Sequence, residues 1–161
     1  MSTDGIVAFL EARWDEQEAG ARAATPGPWW KDDQTAPHYG DFGWYVAGCP
    51  AGETEDSERG RADAIFIARN DPASVLADIK AKRRLVADLL AESHEVVEDC
   101  WYTCAAATEE RDGDSTCRDV PDDARCDCGR DVRVLRRLTI LVQPFHDHPD
   151  FDPAWRLEET A

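Results

Sequence analysis

Apolar side chains recur at helical spacing along most of the chain, and turn formers cut the recurrence into segments. Ile6, Leu10, Trp14, Gln17 and Ala21 share one face of a predicted helix over 4–23, with Thr3 or Asp4 placed to cap its first free N–H groups. Thr25-Pro26-Gly27-Pro28 ends it, because neither proline can donate into a continuing ladder. Residues 62–70, with Ile65, Phe66 and Ala68, predict a short helix. Asp71-Pro72 then restarts the chain as cap and first helical residue, where a missing N–H costs nothing. From there Val75, Leu76, Ile79, Val86, Leu89, Leu90, Val96 and Val97 form one stripe, predicting a spine helix that runs to about Ala107. The spacing returns with Val132, Leu135, Leu138, Thr139 and Val142, and Pro144 stops it.

Between these helices the pattern changes. Trp29-Trp30-Lys31 and Gly43-Trp44-Tyr45-Val46-Ala47 are aromatic runs separated by Pro37 and Gly40, which predicts a small β-hairpin packed on the helices. Residues 48–60 and 108–125 lack periodicity and read as acidic, flexible loops. Residues 145–155 read as an extended tail anchored by Phe145, Phe151 and Trp155. The expected fold is one domain over 1–161, mainly α (α+β), with a long central helix, flanking helices, an aromatic hairpin and a cysteine-rich loop.

Charge narrows the partners. The chain carries 34 acidic and 18 basic side chains, a net charge of −16. Residues 1–60 and 94–131 each hold an excess of eight negative charges, while 61–93 and 132–161 are close to neutral. Such blocks are a solvated surface or a face that docks on a basic protein partner. Nucleic acid is disfavoured, because phosphate contacts need a cationic surplus. That alternative rests on Lys80, Lys82, Arg83 and Arg84 alone. No apolar run approaches the roughly 18 residues a membrane span requires. The acidic start and short first apolar run do not form a secretory leader, so a cytoplasmic location with reduced thiols is expected.

In that setting the six cysteines point to metal or free thiols before disulfides. Cys100 and Cys104 lie about 40° apart on one face of the predicted spine. Cys126 and Cys128 bracket one residue just before the last helix. Two such pairs supply four thiolates for a structural Zn2+ site, closing the 21-residue stretch between Cys104 and Cys126. Cys117 is a substitute ligand. On a continuous helix His94 would face about 120° away from Cys100, which sets it aside. Neither pair has the two-residue gap of familiar zinc motifs, so free thiols and disulfides remain alternatives.

His146-Asp147-His148-Pro149-Asp150 carries the residue types of a metal-dependent hydrolase, though turn and capping duties explain its carboxylates equally. Asp112-Gly113-Asp114 starts like a calcium loop but meets Cys117 where glycine is required and Asp123 where glutamate is required. Cys49 would need an activating histidine, and His38 is its only sequence neighbour of that type. The residues therefore favour a non-enzymatic accessory or interaction protein over a hydrolase or a nucleic-acid-associated protein.

Several segments resemble a family of small actinobacterial and actinophage proteins of unknown function. They are Ile6–Arg13, Ala24-Thr25-Pro26-Gly27-Pro28-Trp29, the run from Ile67 through Asn70-Asp71-Pro72 to Leu76, and Asp78 with Ala81-Lys82-Arg83-Arg84. Val134-Leu135-Arg136-Arg137-Leu138, Asp147-His148-Pro149-Asp150-Phe151 and Ala154-Trp155 complete the set. The resemblance implies a zinc-type cluster built from Cys100 and Cys104 with Cys126 or Cys128. It does not extend to His146, where relatives more often have alanine, and the acidic inserts at 48–60 and 108–125 depart from the usual short form. It implies no activity.

Overall fold

A computed structural model describes residues 3–29, 44–46, 53–55, 57–95, 104 and 128–157. The structure is mainly helical. Helix α1 spans Thr3–Ala23, with Asp4 in its first turn and Arg22 in its last, the charge order that complements the helix dipole. Helix α2 spans Glu58–Arg69 and starts within the stretch expected to be a loop. Ser57 explains the early start: its hydroxyl accepts from the Gly60 N–H at 3.0 Å, satisfying one of the helix's free donors. Helix α3 spans Pro72–Leu90, entered as expected through Asp71, whose carboxylate accepts from the Ser74 N–H at 2.7 Å.

Helix α3 ends at Leu90, short of the predicted Ala107, and residues 96–103 and 105–107 lie outside the described residues. Residues 91–95 and Cys104 are non-helical. A side chain from far along the chain caps this end. Arg130 donates to the Leu90 carbonyl at 2.6 Å and to the Glu92 carbonyl at 2.9 Å, taking backbone acceptors from the segment where the helix ends. Helix α4 spans Arg130–Val142 and buries Val134, Leu138, Thr139 and Val142. The tail is not extended either. It turns through short 3-10 segments at Gln143–Phe145 and Pro153–Trp155, the second capped by Asp152.

The aromatic hairpin is also corrected. Trp29 is not a strand residue; its indole N–H donates to the Thr25 carbonyl at 2.8 Å. Instead β1 (Trp44–Tyr45) and β2 (Glu53–Thr54) make a two-residue antiparallel pairing, with Trp44 opposite Thr54. Helix α2 holds β2 in place, because the Thr54 hydroxyl donates to the Gly60 carbonyl at 2.6 Å. The approach is so close that a methyl group at Gly60 would overlap the Glu55 carbonyl.

The chain divides into two compact units, 11–83 and 1–10 with 84–161. Within 11–83, Trp14 and Ile79 are buried, and Val46, Ala64 and Ala68 form an apolar cluster with Trp29 and Ile67 against it. Arg83 joins Glu11, Asp15 and Glu18 at 2.8, 2.5 and 2.5 Å. Hydrogen bonds from Arg22 and then Arg83 hold the Glu18 carboxyl below the ordinary glutamate range. Two cations of the basic stretch considered for nucleic acid are thus engaged in ion pairs, since Lys82 also pairs with Asp78 at 2.5 Å, while Lys80 and Arg84 are exposed. Within the other unit, the edges of Phe145, His148, Phe151 and Trp155 meet the Phe9 ring at centroid distances of 6.1, 5.6, 6.1 and 5.3 Å. Among the described residues, no helix is long and apolar enough to cross a membrane.

Candidate metal centre

Three segments of the 84–161 unit converge on one point. His94 lies just past the end of α3. The Cys104 N–H donates to the Glu95 carbonyl at 2.9 Å, which anchors Cys104 beside the histidine segment. Cys128 lies two residues before α4. His94 Nδ1 is 3.5 Å from Cys104 Sγ and 3.6 Å from Cys128 Sγ, and all three donor atoms lie within 4.8 Å of one another. Cys104 is buried, and the other two are half-buried.

These separations can be compared with what an ion would demand. Tetrahedral zinc, with bonds of about 2.3 Å to sulfur and about 2.05 Å to nitrogen, sets nitrogen–sulfur edges of roughly 3.5–3.6 Å. The observed spacing matches. The donor set therefore could hold a metal ion.

The backbone prepares the sulfur of Cys128. Gly129 has φ +74°, a left-handed conformation that side-chain-bearing residues rarely adopt. The turn brings Arg130 into backbone hydrogen-bond contact with the sulfur, and Glu95 makes a second such contact. Burial pushes the thiol pKa up. The hydrogen bonds of Glu95 and Arg130, then those of the His94 and Cys104 side chains, outweigh it and bring the value down to about 6. At neutral pH the thiolate, which is the ligating form, is thus the favoured species.

Arginines and carboxylates surround the donors. Arg130 donates to Asp131 Oδ1 at 2.8 Å as well as to the two carbonyls beyond α3, and the Asp131 carboxylate lies 3.9 Å from His94 Nε2. Arg133 donates to the Cys128 carbonyl at 2.9 Å. Arg137 pairs with Glu92 Oε1, while Glu92 Oε2 is buried without a hydrogen-bond partner among the described residues.

Of the expected ligands, Cys104 and Cys128 are brought together; Cys100, Cys117 and Cys126 lie outside the described residues. His94 joins them against expectation. The angle that set it aside assumed a helix through residue 94, whereas the chain is already non-helical there. The lapse of the apolar stripe between Leu90 and Val96 is the sequence sign of that break.

The 146–150 segment does something else. His146 is exposed, with Nδ1 3.1 Å from the Gln143 carbonyl and Nε2 3.2 Å from Asp147 Oδ1. His148 Nδ1 accepts from the Asp150 N–H at 3.1 Å while its ring packs on Phe9. Among the described residues, only His94, Cys104 and Cys128 form a group of three metal-type donors this close together. Cys49, His38 and the 112–123 stretch lie outside the described residues.

Residues 3–157 match the model of a family of unknown function, DUF6221. No curated protein and no solved structure matches the chain.

Proposed function

The chain belongs to the DUF6221 family, and from that premise we propose that it is a non-enzymatic, metal-stapled accessory protein whose acidic surface docks on a basic protein partner. The observation that carries the metal is the 3.5 and 3.6 Å spacing of His94 Nδ1 from two sulfurs. Two thiolates and an imidazole favour zinc over the hard ions Mg2+ and Ca2+. A fourth thiolate, from Cys100, Cys126 or Cys117, would close the tetrahedron. A closed site has no open position for water, so the ion acts as a staple rather than as a Lewis acid. Its work is to tie the segment after α3 to Cys104 and to the entry of α4, offsetting the entropy of the long connections between them.

The docking reading rests on the net charge of −16. Electrostatic attraction of that kind weakens as salt rises.

Elemental analysis with native mass spectrometry, on protein purified without added metal, tests the staple. One zinc per chain, retained until unfolding and reduced in Cys104→Ser and Cys128→Ser, is the expected result. An ion-free preparation whose melting temperature zinc does not change would remove the proposal. Capture of a defined basic host protein, released by increasing salt, is expected for docking; an empty or salt-insensitive capture argues against it.

A further inference from the structure

A histidine that ligates metal through one ring nitrogen carries a proton on the other, and that N–H needs an acceptor. Here Nδ1 faces the two sulfurs. Nε2 faces Asp131 Oδ1 at 3.9 Å. The carboxylate is itself held, because Arg130 donates to the same oxygen at 2.8 Å and is anchored on the Leu90 and Glu92 carbonyls. Both Asp131 and Arg130 side chains are more than four-fifths buried, at 18% and 17% exposure, so the pair is shielded from bulk water.

Resting on the metal reading above, we propose that Asp131 is the positioning residue of the centre: its carboxylate accepts from His94 Nε2–H and selects the tautomer whose Nδ1 lone pair faces the ion. The present separation exceeds a hydrogen bond by less than 1 Å, relative to the usual limit of about 3.2 Å. That gap must close when the ion binds. Arg130 then has a second effect beyond anchoring the segment after α3: it offsets the charge of the carboxylate brought to the site.

Asp131 also stands in the first turn of α4, where an acid steadies the helix dipole. The test must separate these roles. Zinc affinity of the full chain is measured by competition with a chromophoric chelator, for wild type, Asp131→Ala and Asp131→Asn. The His94 ring is followed by its 15N resonances, and the sulfur ligands by the cobalt–thiolate absorption of the Co2+-loaded proteins.

The expected loss for Asp131→Ala is about 10- to 100-fold in zinc affinity, with the cobalt–thiolate bands retained. Asp131→Asn, whose carbonyl can still accept from Nε2–H, recovers most of that loss although its charge is gone. In wild type the 15N pattern shows a protonated Nε2 and a ligated Nδ1. A role confined to the helix dipole would instead lower the melting temperature of both variants and leave zinc affinity unchanged, overturning the assignment. Ligation through Nε2 would overturn it equally. If wild type takes up neither zinc nor cobalt, the metal reading itself fails, and the role of Asp131 with it.

Discussion

The two compact units fasten loops to helices by different chemistry. In the 11–83 unit the ties complete themselves: Asp71 caps α3 and accepts hydrogen bonds from neighbouring backbone, and Arg83 reaches three carboxylates of α1. In the 1–10 and 84–161 unit, one tie is an aromatic group around Phe9, and the other brings an imidazole and two sulfurs within 4.8 Å of one another. A thiolate beside an imidazole already gains hydrogen bonds, and a shared ion would add far more to the same proximity. Similar-looking convergence of polar side chains thus has different consequences: carboxylates and guanidinium groups neutralise one another, while an imidazole and two thiols can in addition share an ion.

The largest test of this difference is metal removal. At free zinc a thousand-fold above its dissociation constant, binding stabilises the folded chain by about 4.1 kcal/mol. Chelation should therefore lower the melting temperature and speed amide exchange at 91–95 and 128–131, leaving exchange in α2 unaltered. Equal loosening of α2 and the cysteine segments would erase the distinction between units.

Phe9→Ala comes next. It removes the ring on which four aromatic groups converge, and denaturant unfolding should show a loss of about 3–5 kcal/mol whether or not metal is bound. Asp71→Ala should cost about 1–2 kcal/mol at neutral pH through loss of the α3 cap. Its pH dependence has a definite sign. The Ser74 N–H hydrogen bond leads over burial, and further bonds from the Ser74 hydroxyl and from the Trp29 and Ala73 backbone help hold the Asp71 carboxyl below its ordinary value. The stabilisation is therefore present above the unfolded value of about 3.9 and disappears as pH falls through the folded one. Urea midpoints of wild type and variant should converge in acid; a gap that persists there would show that the cap does not act through ionised Asp71. The smallest effect belongs to His146→Ala, within about 0.5 kcal/mol by denaturation, with zinc content unchanged. A loss of bound metal in that variant would move the centre to the tail.

Much of the helical class is legible along the chain, because periodicity and caps are local. Asp71-Pro72 marks the entry of α3, and of the stripe read for α4, Leu138, Thr139 and Val142 are buried, whereas Val132 is exposed and Val134 is buried in its stead. The end of α3 is only half legible: the apolar stripe lapses after Leu90, but the arginine that binds the Leu90 and Glu92 carbonyls lies some forty residues away. The hairpin partner of Trp44 fails for the same kind of reason: β2 is held by a hydrogen bond to Gly60 of α2, a contact no aromatic pattern announces. At the site, cysteine spacing points to Cys104 and Cys128 but not to His94, and the His146–His148 pair looks more metal-like in sequence than it is in space.

Helical periodicity, the acid surplus and the supply of thiols follow from composition and from neighbours a few residues apart. Tertiary structure alone decided which imidazole meets the sulfurs. That meeting depends on where a helix stops and how a left-handed turn at Gly129 aims the next element, and both are settled by long-range contacts whose partners are far apart along the chain.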